Sequence, residues 1–111
     1  MRTIKVYKNY YKEFYLAQTI QVRKKMDFVL ELIKRLDRVP GNYFRQIEGT
    51  EGLFEIRVEC AGNIYRIFCC NDEGQLVILF NGFQKKTQKT PKEQILRAKA
   101  IMKEYFDSKK K

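Results

Sequence analysis

The sequence predicts a compact α+β domain: a small twisted antiparallel sheet packed on helices, in the order β-α-β-β-β-α. Three observations lead there. Apolar side chains recur at helical spacing between residues 16 and 36. Three short runs rich in β-branched and aromatic residues then fill residues 53 to 83, separated by Ala61-Gly62-Asn63 and Asn71-Asp72-Glu73-Gly74. Helical periodicity returns after Thr90-Pro91. At 111 residues with 44% apolar side chains, the chain holds enough material for one core and has no room for a second. Residues 1–111 therefore read as a single domain, with 108–111 as a short basic tail.

Thr3 to Tyr7 alternates β-branched and basic residues, which suits a short first strand. In the helix of residues 16 to 36, Ile20, Val22, Met26, Val29, Leu30, Ile33 and Leu36 share one face, while Arg23, Lys24, Lys25, Asp27, Glu31, Lys34 and Arg35 fill the other. Pro40-Gly41 ends it, and Asn42 to Ile47 is a connection within reach of the sheet edge. Gly, Asn and Asp between the three strand runs mark two consecutive hairpins. The third run, Leu76-Val77-Ile78-Leu79-Phe80, is apolar on both faces and reads as a central strand. Thr90-Pro91-Lys92-Glu93 has the form of a capping box with Thr90 as N-cap. Ile95, Ala98, Ile101, Met102 and Tyr105 then carry a helix to about Asp107.

The charge is unevenly placed. With 23 Lys+Arg against 13 Asp+Glu the net charge is +10, yet residues 1–40 carry +6, residues 41–83 carry −3 and residues 84–111 carry +7. Basic ends around an acidic middle favour a polyanionic partner, although a lysine-rich tail also serves solubility. Arg45, Arg57 and Arg66 are the only basic residues of the acidic middle. The chain has no histidine, which removes Ser-His-Asp triads, Cys-His dyads, histidine-ligated metals and imidazole acid–base pairs. Cys60, Cys69 and Cys70 are odd in number and lack C-x-x-C spacing, so they read as small buried hydrophobes rather than a disulfide framework or a zinc site. No metal or cofactor is expected. With no apolar run of about 18 residues and no apolar stretch at the N-terminus, neither a membrane span nor a secretory signal is expected, and the address is cytoplasmic.

Alternation places Phe54, Ile56, Val58 and Cys60 on one face of their strand, against the long helix, and Leu53, Glu55, Arg57 and Glu59 on the other. A two-residue loop at Ala61-Gly62 sets Cys60 against Asn63, which brings Arg57 opposite Arg66 on the polar face. Like charges directly opposed call for an anion: Glu55 or Glu59 of the same sheet, or a phosphate held by two guanidinium groups. If the next hairpin turns at Glu73-Gly74, Arg66 faces Asn81 and Ile64 faces Phe83. Phe83, Lys85 and Lys86 then continue that face at the strand's end. A ring beside positive charge suits single-stranded RNA, where a splayed base stacks while its phosphate is neutralised. Tyr65 falls on the opposite face as a buried structural tyrosine.

Leu53-Phe54-Glu55-Ile56-Arg57, Tyr65-Arg66-Ile67-Phe68 and Gly82-Phe83-Gln84-Lys85-Lys86-Thr87-Gln88-Lys89-Thr90-Pro91, with Ile95 and Ala98 following, resemble the phage-derived branch of the RelE/HigB toxins of type II toxin–antitoxin systems. The resemblance spans nearly the whole chain. It implies the RelE-like, microbial ribonuclease-like fold and metal-independent cleavage of mRNA in the ribosomal A site, with the 2′-hydroxyl attacking to leave a 2′,3′-cyclic phosphate and a 5′-hydroxyl. By position it assigns Arg57 and Arg66 to the scissile phosphate, Lys85 and Lys86 to further phosphate contacts and proton transfer, and Phe83, Arg45 and Lys89 to RNA binding. It implies a cognate antitoxin of helix-turn-helix type, with a toxin monomeric alone and oligomeric in that complex. Two other readings stay open: a ParE-like inhibitor of DNA gyrase, and a non-catalytic basic module that binds RNA or the ribosome.

Overall fold

The computed structural model describes residues 1–86 and 90–110. The chain runs as β1 (Thr3–Val6), α1 (Tyr10–Leu16), α2 (Ile20–Arg35), β2 (Phe44–Gln46), β3 (Leu53–Cys60), β4 (Asn63–Asp72), β5 (Leu76–Lys85) and α3 (Lys92–Ser108). The strands form one sheet in the order β1-β5-β4-β3-β2. All neighbours are antiparallel except β1, which lies parallel to β5. The sheet is therefore mixed. Hairpin turns fix the direction of β3, β4 and β5, whereas β1 reaches β5 from a distant part of the chain and no turn dictates its sense.

Two elements go beyond the order expected from sequence. The connection after Pro40-Gly41 does join the sheet, as the edge strand β2, with Arg45 paired to Glu55. A further helix precedes the expected one. Residues 10–16 form a separate aromatic-rich helix without a side-chain N-cap, and Thr19 starts α2 by accepting a hydrogen bond from the Val22 amide at 3.3 Å. At the other end α2 stops at Arg35, before Pro40, where the Arg2 guanidinium donates to the carbonyls of Ile33 and Asp37, each at 3.0 Å. Arg23 closes α1 in the same way through Tyr15 O at 3.0 Å. Two of the N-terminal cations thus satisfy helix C-termini instead of facing a partner. Ile20 and Leu36 lie at the two limits of α2 and are 68% and 39% exposed, so the buried stripe is Val22, Met26, Val29 and Ile33.

The sheet is covered on both faces. The α2 stripe packs on Ile56, Val58, Ile67, Cys69, Val77 and Leu79, with Tyr65 buried in this layer as alternation predicts. On the opposite face Ala98 and Ile101 of α3 pack on Leu53, Phe68, Cys70, Ile78 and Phe80. The cysteines are free, and burial pushes the Cys69 thiol well up and that of Cys70 to about 12. No helix among the described residues is long and apolar enough to cross a membrane.

The β3–β4 register is the expected one, with Cys60 against Asn63 and Arg57 against Arg66. The turn needs positive φ at both loop residues, 51° at Ala61 and 80° at Gly62. The β4–β5 register is displaced. Its loop holds three residues, Glu73 to Gln75, and a bulge between Ile67 and Cys69 adds one more residue on β5. Arg66 therefore opposes Phe83 and Ile64 opposes Lys85, two positions beyond the expected Asn81 and Phe83. A slip of two preserves the face, so Arg66, Phe83 and Lys85 do share one. The expected capping box does not form: Pro91 is the N-cap of α3, without a side-chain bond, and Thr90 points its hydroxyl elsewhere.

Candidate active site

The face of the sheet beneath α3 is only partly covered, and its open end carries the basic residues. Register aligns four of them across neighbouring strands. Arg45 on β2 pairs with Glu55, Arg57 on β3 pairs with Arg66 on β4, and Lys85 on β5 lies opposite Ile64, two residues from Arg66. At their centre Glu55 is buried, 3% exposed. Its Oε1 accepts from Arg66 Nη1 at 3.1 Å and from Arg45 Nε at 3.0 Å, and its Oε2 accepts from the Thr90 hydroxyl at 3.3 Å. Each bond joins the carboxylate to a different strand or to the entry of α3, so one side chain orients both guanidinium groups.

The carboxylates do not saturate the cations. Arg57 reaches Glu59 at 3.5 Å, the limit of a hydrogen bond. The Nε atoms of Arg57 and Arg66 are buried and have no hydrogen-bond partner among the described residues. A buried N–H left unpaired carries a desolvation penalty of about 1–3 kcal/mol, more in a charged group, which the sheet's own carboxylates do not relieve. Burial lowers the Arg66 pKa, with Glu55 opposing that shift and Arg45 and Arg57 adding to it. Lys85 is likewise lowered, first by burial and then by the positive charges of Arg66, Arg45 and Arg57. A lysine held this way gives up its proton more readily than a solvated one.

Two clefts meet at Arg45. One, of about 340 Å³, is lined by Gly41, Asn42, Arg45, Arg57 and Arg66. The other, of about 430 Å³, contains Glu55, Lys85 and Thr90 on the far side of the Arg45 side chain. Chemically, the first can bind and polarise a tetrahedral anion through up to three guanidinium groups, with an amine of lowered pKa close by.

Of the residues expected here, the fold brings together Arg45, Arg57, Arg66 and Lys85. Lys86 is exposed and lines neither cleft. Lys89 lies outside the described residues. Phe83 corrects the expectation: it is 8% exposed, in the layer beneath α3, with its ring stacked on Phe68 at 5.5 Å between centroids. It shares the face of Arg66, as alternation requires, but at the part that α3 covers, so it offers no free surface to a base. Glu55 does offset the opposed arginines, one of the two anions expected for them, through its pair with Arg66, whereas Thr90, expected as a helix cap, donates to Glu55 instead. The signal for Glu55 was its position two residues before Arg57. What makes it a hub is Arg45, whose pairing with it depends on an edge strand of three residues.

Comparison with known proteins agrees with this architecture. The family described as phage derived protein Gp49-like matches residues 13–103. No curated protein matches the chain. Among solved structures, a double arginine-to-alanine mutant of the E. coli toxin RelE in the free state superposes with a TM-score of 0.55, covering 73% of this chain and 80% of that one at 15% identity. A likeness at that identity speaks for the fold, and the family match over most of the chain speaks for kinship. The sheet topology, the RelE-like fold and the match over residues 13–103 together place the chain in the phage-derived Gp49-like family, a family of RelE/HigB-type toxins of toxin–antitoxin systems.

Proposed function

We propose that the protein is a metal-independent, ribosome-dependent mRNA endoribonuclease that stops translation and is held in check by a cognate antitoxin of helix-turn-helix type. The observation that carries this reading is the gathering of Arg45, Arg57 and Arg66 on one open cleft, three guanidinium groups against the two carboxylates of Glu55 and Glu59. Arginines arranged only to hold the sheet together would be satisfied by Glu55 and Glu59. In this reading the non-bridging oxygens of the scissile phosphate meet the guanidinium groups of Arg57 and Arg66 where they line the cleft, and these stabilise the charge that grows as the 2′-hydroxyl attacks phosphorus. The P–O5′ bond breaks, leaving a 2′,3′-cyclic phosphate and a 5′-hydroxyl. Lys85, on the wall of the adjoining cleft, is the amine whose pKa burial and the neighbouring guanidinium charges lower, and it serves proton transfer, while Lys86 contributes a further phosphate contact nearer the solvent. With a nearly preformed phosphate site and no imidazole, the ribosome supplies the alignment that the isolated chain lacks.

Primer extension on a translated message tests this. Adding the protein is expected to create new 5′ ends inside codons, and an Arg57→Ala, Arg66→Gln double variant that retains its circular dichroism spectrum is expected to lose about 10²–10³-fold in cutting rate. Cutting by that variant within threefold of the parent would remove the arginines from the mechanism. DNA breaks dependent on gyrase without new mRNA ends would favour the ParE-like reading, and protection of RNA without cuts would favour a binding module.

A further inference from the structure

The nuclease reading leaves open what holds the base beside the scissile phosphate, because the one ring expected there, Phe83, is buried in the core. We propose that the 430 Å³ cleft between the β2–β3 loop and the first turn of α3 is a nucleobase subsite that selects guanine through the carboxylate of Glu48. The inference rests on the nuclease reading and adds to it a substrate preference.

Continuity places the cleft on the path of the strand. Arg45 lines both clefts, so a chain whose phosphate lies on Arg57 and Arg66 meets the second cleft one side chain further on, with Lys85 also on its wall. The volume falls in the range of about 300–1,000 Å³ typical of small-ligand sites. Its walls suit a flat ring. Ile47 from the β2–β3 loop and Ile95 from α3 both line it, and both are half-buried against the apolar layer beneath α3, so they are held in place from behind. Aliphatic faces of this kind replace the aromatic platform as a slot for a base.

The polar lining carries both signs, with Arg45 and Lys85 as donors and Glu48 and Glu55 as acceptors. Glu55 is already occupied by Arg45, Arg66 and Thr90. Glu48, by contrast, is exposed and forms no ion pair among the described residues. The Gln46 side-chain nitrogen donates to the Thr50 carbonyl at 3.0 Å, which leaves its oxygen and its second N–H for another partner. An ionised carboxylate only accepts hydrogen bonds. Of the four RNA bases, guanine alone presents two adjacent donors on its Watson–Crick edge, N1–H and the N2 amino group, and so can meet a carboxylate at both oxygens. Adenine, cytosine and uracil each set a donor beside an acceptor, which a carboxylate repels. A free carboxylate in a site that must take up a polyanion weakens binding unless donors satisfy it, and that is how it discriminates.

The test follows the isoleucine methyl NMR signals of the full chain titrated with guanosine 3′-monophosphate, uridine 3′-monophosphate or inorganic phosphate. The guanine nucleotide is expected to shift the Ile47 and Ile95 methyls and to bind about tenfold more tightly than the uracil nucleotide, the discrimination a bidentate contact supplies. Phosphate alone should leave those methyls in place. Glu48→Ala, at an exposed position, should bring the two nucleotides within about twofold of each other. Equal affinities in the parent chain, or nucleotide binding that leaves both methyls unmoved, would overturn the subsite. Mapping the cuts separates this from the nuclease reading. Abundant cuts with no excess of guanine beside them, and a pattern unchanged by Glu48→Ala, refute the subsite alone. Guanine selectivity at Ile47 and Ile95 without mRNA cleavage supports the subsite and refutes the nuclease.

Discussion

Arg66 and Glu55 lie 3.1 Å apart with side chains 6% and 3% exposed, a fully desolvated ion pair set directly beneath a face where Arg45 stays 59% exposed. The pair joins β4 to β3 from the interior, while the accessible cations gather above it. A buried pair of this kind contributes little net stability against an apolar replacement of both partners, but removing one of them strands the other. Its use is to hold the Arg66 guanidinium in one orientation against the cleft that it lines.

Glu55→Ala is accordingly expected to lower stability by about 3–5 kcal/mol in urea denaturation, because the Arg66 charge remains buried without its partner. A Glu55→Leu, Arg66→Met double variant should recover most of that loss and show no phosphate binding. A loss under about 1 kcal/mol for Glu55→Ala would mean that Arg66 escapes to solvent when released.

Phe83→Ala is expected to act as a core truncation. Its ring stacks on Phe68, so the loss should be about 3–5 kcal/mol. Phe83→Leu conserves most of the volume and should stay within about 1.5 kcal/mol of the parent, with RNA affinity per folded molecule unchanged. An unaltered melting curve combined with a tenfold loss of RNA affinity in Phe83→Leu would restore the ring to the binding face.

At Gly82 the close neighbour is α1. A Cβ there would lie 2.5 Å from Cδ2 of Phe14, so glycine is what lets the Phe14 ring rest on β5. Gly82→Ala should destabilise the fold by about 1–3 kcal/mol through overpacking. Adding Phe14→Leu should restore part of the loss, so that in thermal melts the double variant is more stable than the two single effects add up to.

Asp72 gives the fold an acid-sensitive contact at the far end of α3. Hydrogen bonds from Lys109 and Tyr105 hold its carboxyl at about 2, below the ordinary 3.8. A folded-state pKa below the unfolded one means that the contribution is complete above about pH 4 and is lost as the pH falls through about 2. Asp72→Asn should therefore be less stable than the parent at neutral pH and should show a shallower fall of the melting temperature between about pH 4 and 2. Parallel curves for the two chains would rule the contact out as a source of acid sensitivity.

Much of this arrangement could be read along the chain. Arg57 stands against Arg66 because the two-residue Ala61-Gly62 turn leaves only one register in which both strands bury their apolar side chains. Lys85 shares their face because strand alternation survives a slip of two. The bulge at Ile67/Cys69, the separate helix of Tyr10–Leu16 and the edge pairing of Arg45 with Glu55 leave weak local traces, since each is decided by what packs against it from elsewhere in the sequence.

Alternation and turn chemistry by themselves determined the class of fold, the opposed arginines and the face on which the basic residues gather, because those follow from the period of a strand and the length of a turn. Only the tertiary structure decided how much of that face α3 covers. That placement puts Phe83 in the core, turns Thr90 from a helix cap into a ligand of Glu55, and opens the cleft beside Ile47 and Ile95. The physical reason is that a strand's own pattern fixes which side a residue faces, whereas its accessibility depends on where a helix distant in sequence comes to rest.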